Sequence, residues 1–186
     1  MTDPLHWERL GSRYGESLIL FEARFDSLRH PTSGRLFERL VLESVDWVNC
    51  VAIDRQGRHV MVRQFRFGAG ATTLETPGGM VDDGEDSEAA IRRELEEETG
   101  YRGGRWRYLG AVQPNPAIHD HLCHHWLAVG VEPTGRIDPG PGEHIAVELL
   151  TDDQVAAAAR SGEIRHALAL SAIARVLDIW EPLRPS

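Results

Sequence analysis

The chain has 186 residues, 41% hydrophobic and 26% charged, which are the values of one globular folding unit and exclude a disordered, fibrous or membrane-embedded chain. Twenty basic residues against 29 acidic ones give a net charge of -9, which argues against stable nucleic-acid binding driven by charge. All 20 basic residues are arginine, so Schiff-base chemistry, lysine nucleophiles and a phosphate-loop lysine are excluded, and phosphate must be met by arginine, backbone N–H groups or metal.

In chain order, residues 17–25 lead through Pro31-Thr32-Ser33-Gly34 into residues 36–42, which predicts an N-terminal hairpin. A second hairpin joins 47–53 to 60–67 across Asp54-Arg55-Gln56-Gly57, where Asp and Gly supply turn chemistry. A short strand, 72–75, ends at Pro77-Gly78-Gly79, and an acidic loop follows. The next helix runs from an N-cap at Asp86 or Ser87 to Thr99, closed by Gly100, with Ile91 and Leu95 one turn apart as its core stripe.

Strands are predicted again at 106–112, 124–131 and 145–149, with residues 133–142 a Pro/Gly surface loop. Two helices close the pattern, one capped by Thr151 and running to Ser161, the other from Glu163 or Ile164 to about Trp180. The fold class is α/β (α+β), a mixed sheet with helices on its faces, preceded by an antiparallel β segment over residues 1–45. Cys50 and Cys123 read as buried small hydrophobes in a reducing cytosol. The charged first 14 residues hold no apolar signal core, and no apolar run has the length of a membrane span, so a cytoplasmic protein is expected.

The informative charges are Glu94, Glu97 and Glu98. At i, i+3 and i+4 on one helix, like charges repel, and in its second half the macrodipole disfavours them further. A cation would offset both costs, and carboxylate oxygens suit Mg2+, with Mn2+ as a substitute. The alternative is a solvated acidic face, the preferred reading for Glu88 and Glu96.

The register around them decides between the two. Gly79, Glu85, Arg93-Glu94-Leu95, Glu97-Glu98 and Gly100-Tyr101 resemble the signature box of the Nudix hydrolases. Only Tyr101 departs, at a position that usually holds a smaller aliphatic residue and that packs rather than reacts. Val62-Arg63-Gln64-Phe65-Arg66, Glu75-Thr76-Pro77-Gly78-Gly79, Glu143-His144-Ile145-Ala146-Val147 and Ser161-Gly162-Glu163-Ile164 resemble the ADP-ribose and nucleoside diphosphate sugar pyrophosphatase branch.

The resemblance, over residues 37 to 180, implies a Nudix-type α/β/α sandwich across residues 46–186, with residues 1–45 packing across a homodimer. It implies Mg2+-dependent hydrolysis of a nucleoside diphosphate sugar, ADP-ribose or similar, to a nucleoside monophosphate and a sugar phosphate. Glu94 and Glu98 would be the principal metal ligands, Glu97 a further one, and the Gly78 carbonyl a backbone ligand. Glu85 would pair with Arg93 to brace the acidic loop against the helix. Glu143 is either the general base or an ordinary loop acid.

Arg66 is either a phosphate contact or a solvated strand-edge arginine, with Arg39 and Arg63 as lesser candidates. Glu75 would assist metal or ribose binding. Trp47, Phe67 and Trp126 are either base-stacking or core residues. Gln113-Pro114-Asn115-Pro116-Ala117-Ile118 occupies the place where this family writes substrate preference, without the usual Ser-Pro-Gly wording, so the sugar stays open. The nearby His119, Asp120, His121, Cys123, His124 and His125 match no standard zinc spacing and read as strand and loop residues lining the pocket. Other readings keep the chemistry on an RNA 5′ end, a dinucleoside polyphosphate, coenzyme A or an oxidised nucleotide. A nucleotide-sugar sensor without turnover is the reading from another class, and the intact acidic box speaks against it.

Overall fold

The structure, a computed structural model, describes residues 3–138, 140, 142 and 144–180. They cluster into two units, one of Met1–Val45 with Gln113–Leu122, the other of Asp46–Val112 with Cys123–Ser186.

The smaller unit is an antiparallel sheet of β1 (Glu8–Ser17), β2 (Glu22–Arg29) and β3 (Leu36–Glu43), in that order. The hairpin expected over 17–25 and 36–42 is thus shifted and gains a third strand. β1 has no buried residue, so it carries no inside/outside alternation by which a strand is recognised. The apolar stretch 18–21 is the turn between β1 and β2, where the Leu18 amide donates to the Phe21 carbonyl at 2.7 Å and Ile19 takes φ +67°. The buried Asp26 is held by Ser12 Oγ at 2.6 Å and Arg24 Nε at 2.9 Å, which offsets the cost of burying it. The Leu42 amide donates to the Ile118 carbonyl at 2.7 Å, fastening 113–122 to this sheet, and Phe21 stacks on His119.

The larger unit is built on a mixed sheet in the order β10 (Ile145–Leu150), β5 (His59–Arg66), β4 (Trp47–Asp54), β9 (Cys123–Pro133), β8 (Tyr101–Val112). β6 (Ala71–Glu75) pairs with β5, and β7 (Gly78–Met80) with the first residues of β4. Among the described residues of this unit only β4 and β9 run parallel, and its other strand pairings are antiparallel. α1 (Ser87–Thr99) covers one face, burying Ile91 and Leu95 against Cys50, Ala52, Trp126 and Ala128. α2 (Asp152–Ser161) and α3 (Ala167–Ile173) cover the other, over Val51, Met61, Leu74 and Leu127. Residues alternate between the two faces along β4 as pleat geometry requires, and the result is the expected α/β/α sandwich. Among the described residues no helix is long and apolar enough to cross a membrane.

The caps decide the helix ends. Asp86 accepts from the amides of Glu88 and Ala89 at 2.9 Å, and Gly100 at φ +67° closes α1. Thr151 and Gln154 form a full capping box on α2. The last helix is the correction: expected from 163 or 164 to about 180, it spans only Ala167–Ile173. His166 is extended, at φ -68° and ψ 116°, and delays the start. Val176, Leu177 and Ile179 still pack on the core, but from a turn over 174–176 and the irregular residues after it, so apolar spacing read as helix is satisfied without one.

Candidate active site

α1 presents the acidic box to the turn that precedes it. Gly78 lies against β4 so closely that a Cβ there would fall 2.2 Å from the Val48 carbonyl oxygen and 2.7 Å from Asn49 Cα. Its amide donates to Glu98 Oε2 at 2.9 Å, which aligns this buried carboxylate with the turn. A Cβ on Gly79 would fall 2.3 Å from the Glu94 carboxyl group, so the glycine makes the space that carboxylate occupies. Cys50, buried beneath, has its thiol pushed up by burial and by the charge of Glu98, and stays protonated.

Arg93 gathers the remaining acids. Its Nη2 donates to Glu85 Oε2 at 2.9 Å and to the Met80 carbonyl at 3.0 Å, and its Nη1 to Glu94 at 2.8 Å and Glu97 at 3.2 Å. The expected Glu85–Arg93 brace is present, and its hydrogen bond with Arg93 holds the Glu85 carboxyl below the usual carboxylate range. Glu94 is mostly covered and Glu97 half exposed, and Glu96 faces solvent with Arg102 3.6 Å away. Among the described residues no three acidic, histidine or cysteine side chains have converged to ligand distances. The donor set still fits a hard divalent cation: three carboxylates on one helix, two of them drawn against a glycine turn, with oxygen donors only.

Residues 134–138 pass over the C-terminal end of α1. The Thr134 amide donates to the Gly100 carbonyl at 2.6 Å and the Asp138 amide to the Glu97 carbonyl at 3.0 Å. Arg136 and Asp138 line one cleft with Arg93, Glu96 and Glu97. Glu143, the candidate base farther along this segment, lies outside the described residues.

The substrate-side candidates divide. Arg66 lies side-on to Glu75, Nε to Oε1 at 3.0 Å and Nη2 to Oε2 at 2.8 Å. Glu75 is 1% exposed and also meets Thr73 Oγ1 and, at 2.6 Å, His166 Nδ1. Burial alone would raise its pKa, but the hydrogen bonds from His166, Arg66 and Thr73 outweigh that and hold it well below the usual carboxylate range. Four donors fill the four acceptor sites of the carboxylate. Arg63 is engaged on the opposite face, at Glu148 and Glu163. Arg39 lies in the smaller unit, over the ring of Phe37. Trp126 is buried with the α1 core, whereas Phe67 is 88% exposed beside Phe65.

One buried network escapes sequence reasoning. Asn49 Nδ2 donates to the Leu168 carbonyl at 3.0 Å, so its Oδ1 accepts from His125 Nδ1 at 2.6 Å. Burial, then Arg175 and His124, lowers the pKa of His125 to about 4, so the ring is neutral and its Nε2 accepts from Ser171 Oγ at 3.0 Å. This ties α3 to β4 at the residue paired with Gly78. The sequence marks His125 only as one of the His/Cys run expected to line the pocket; it is instead fully buried against α3, and no spacing announces its partners.

Glu75 also makes a prediction about acid stability. A carboxyl whose folded-state pKa lies below its unfolded value near 4.5 adds stability that is complete above that value and is lost as the pH falls through the folded one. Denaturant unfolding from about pH 5 down to about pH 3 should therefore show falling stability in the parent chain and a flatter dependence in Glu75→Gln. Parallel curves for the two proteins would refute this.

The comparisons agree with the geometry. The NUDIX domain family model matches residues 45–170. The chain is 30% identical over 174 residues to the ADP-ribose pyrophosphatase of Mycobacterium tuberculosis, covering 91% of this chain and 83% of that one. It is 35% identical over 115 residues to the GDP-mannose pyrophosphatase of Citrobacter koseri, covering 57% and 59%. A crystal structure of an ADP compounds hydrolase superposes with a TM-score of 0.80 at 18% identity, covering 91% of both chains, and so shares the fold. The chain belongs to the Nudix family. Its enzyme class is that of the Nudix pyrophosphohydrolases.

Proposed function

We propose that this enzyme hydrolyses the pyrophosphate bond of a nucleoside diphosphate sugar, ADP-ribose or a close analogue, to a nucleoside monophosphate and a sugar phosphate in the cytoplasm, with Mg2+ as its cofactor. The observation that carries the reading is the seating of Glu94 and Glu98 against Gly78-Gly79, a carboxylate cradle that a Cβ would fill. The ADP-ribose and GDP-mannose pyrophosphatases among the relatives support the substrate class.

In this reading Glu94, Glu97, Glu98 and the Gly78 carbonyl hold the metal, with Mn2+ as a substitute. A divalent cation bound there would supply positive charge against the diphosphate and would acidify a bound water. Arg93 keeps the acidic loop and helix in one register through Glu85 and the Met80 carbonyl. Arg66, its Nε and Nη2 aligned by Glu75, is the phosphate contact. Glu143 accepts the proton of the attacking water. A homodimer completes the proposal, since β1 buries none of its ten residues and leaves Leu10 and Tyr14 exposed.

Purified protein incubated with ADP-ribose, GDP-mannose and UDP-glucose, with Mg2+ and with a chelator, tests it. The expected result is a nucleoside monophosphate and a sugar phosphate from at least ADP-ribose, lost on chelation. No monophosphate from any of the three refutes the substrate class.

A further inference from the structure

We infer that His166 is a positioning residue for phosphate binding, acting through Glu75 on Arg66; the inference rests on the proposed function and on Arg66 as its phosphate contact. His166 stands at the N-cap of α3, where a side chain commonly accepts from the helix's own amides. It makes no such bond. Its imidazole turns instead to Glu75, Nδ1 to Oε2 at 2.6 Å. Glu75 is ionised and can only accept, so Nδ1 carries the hydrogen.

The oxygen that His166 holds is the one that takes Arg66 Nη2 at 2.8 Å. Thr73 and Arg66 Nε hold the other. With both oxygens fixed, the plane of the carboxylate is fixed, and the planar fork of Arg66 must lie in line with it. Two of the three guanidinium nitrogens of the 43% exposed Arg66, Nε and Nη2, are bonded to Glu75, so its alignment follows that of the carboxylate. Remove the imidazole and one acceptor site of a buried carboxylate is unfilled; the carboxylate turns, and Arg66 turns with it. Substrate binding must then order a long side chain that was ordered beforehand.

Nor is the imidazole itself loosely placed. α3 is pinned two residues later by Asn49 on the Leu168 carbonyl and again by His125 on Ser171. Asn49 is the β4 partner of Gly78, so the support of Arg66 and the support of the glycine turn share one buried anchor. Glu75 has no acceptor site left for a ribose hydroxyl, which makes it a splint between His166 and Arg66 rather than a substrate contact.

Steady-state hydrolysis of ADP-ribose with Mg2+ tests this in His166→Ala, His166→Asn, Arg66→Ala and the Arg66→Ala/His166→Ala double variant. Asn places an amide donor where Nδ1 stands. His166→Ala should raise KM about three- to ten-fold with kcat within about two-fold, and His166→Asn should recover most of the loss. Added to Arg66→Ala, His166→Ala should change KM no further. An unchanged KM in His166→Ala, failure of Asn to restore it, or additive effects in the double variant would overturn the inference. Absence of turnover in the parent enzyme would instead overturn the functional reading, and this inference with it.

Discussion

Glu98→Gln should lower turnover about a thousand-fold while leaving the folded structure intact. The glutamine oxygen can still accept from the Gly78 amide, as Glu98 Oε2 does at 2.9 Å, and a neutral amide is easier to bury than a carboxylate in a site 4% exposed. What is lost is one negative charge at the proposed metal. The thermal midpoint should hold or rise slightly, and isothermal titration should show weakened Mg2+ binding. Glu88→Gln is the matched control: it alters the same helix at a half-exposed position, paired with Arg92 and outside the cleft, and should keep turnover within about two-fold. Parent-level activity in Glu98→Gln would remove Glu98 from the metal site. A protein that only senses nucleotide sugars would have no turnover to lose.

Adjacent glycines should fail in different ways. In Gly78→Ala the new methyl meets main chain, 2.2 Å from the Val48 carbonyl oxygen and 2.7 Å from Asn49 Cα, and neither can move without parting β7 from β4. Overpacking of this kind costs about 1–3 kcal/mol or more, so Gly78→Ala should lose both stability and activity. In Gly79→Ala the methyl meets the far end of Glu94, which can swing aside. That variant should unfold within about 1 kcal/mol of the parent yet lose turnover at least a hundred-fold, because the carboxylate is displaced. Denaturant titration beside an activity assay separates the two, and equal stability losses would contradict the difference in what each methyl strikes.

The parts legible from sequence are those whose causes are local. The limits of α1 follow from Asp86 and Gly100, and both act where they stand. The box register names Glu94, Glu97 and Glu98 because a helix fixes which residues share a side. Strand β1 was illegible because a strand with no buried residue leaves no periodic trace. The end of the chain misled for the opposite reason: its apolar spacing is genuine, but the helix starts only after His166, whose imidazole is bonded to Glu75, 91 positions earlier in the sequence. The Asn49–His125–Ser171 network is hidden likewise, since its three members come from three elements.

The crossing of residues 134–138 over the end of α1 bears on which positions can vary without disturbing the acidic box. Two of the bonds that hold it are between backbone groups, Thr134 to Gly100 and Asp138 to Glu97. The Thr134 hydroxyl adds a third, to the Gly100 carbonyl at 2.9 Å, and a Cβ at Gly100 would fall 2.6 Å from the Arg136 carbonyl oxygen, so the approach depends on that glycine and on Thr134. The side chains of Arg136 and Ile137 make none of these bonds and can be exchanged without unfastening the segment from the helix. Substitution at Arg136 can rewrite the rim of this cleft while Glu94 and Glu98 keep their places against Gly78-Gly79.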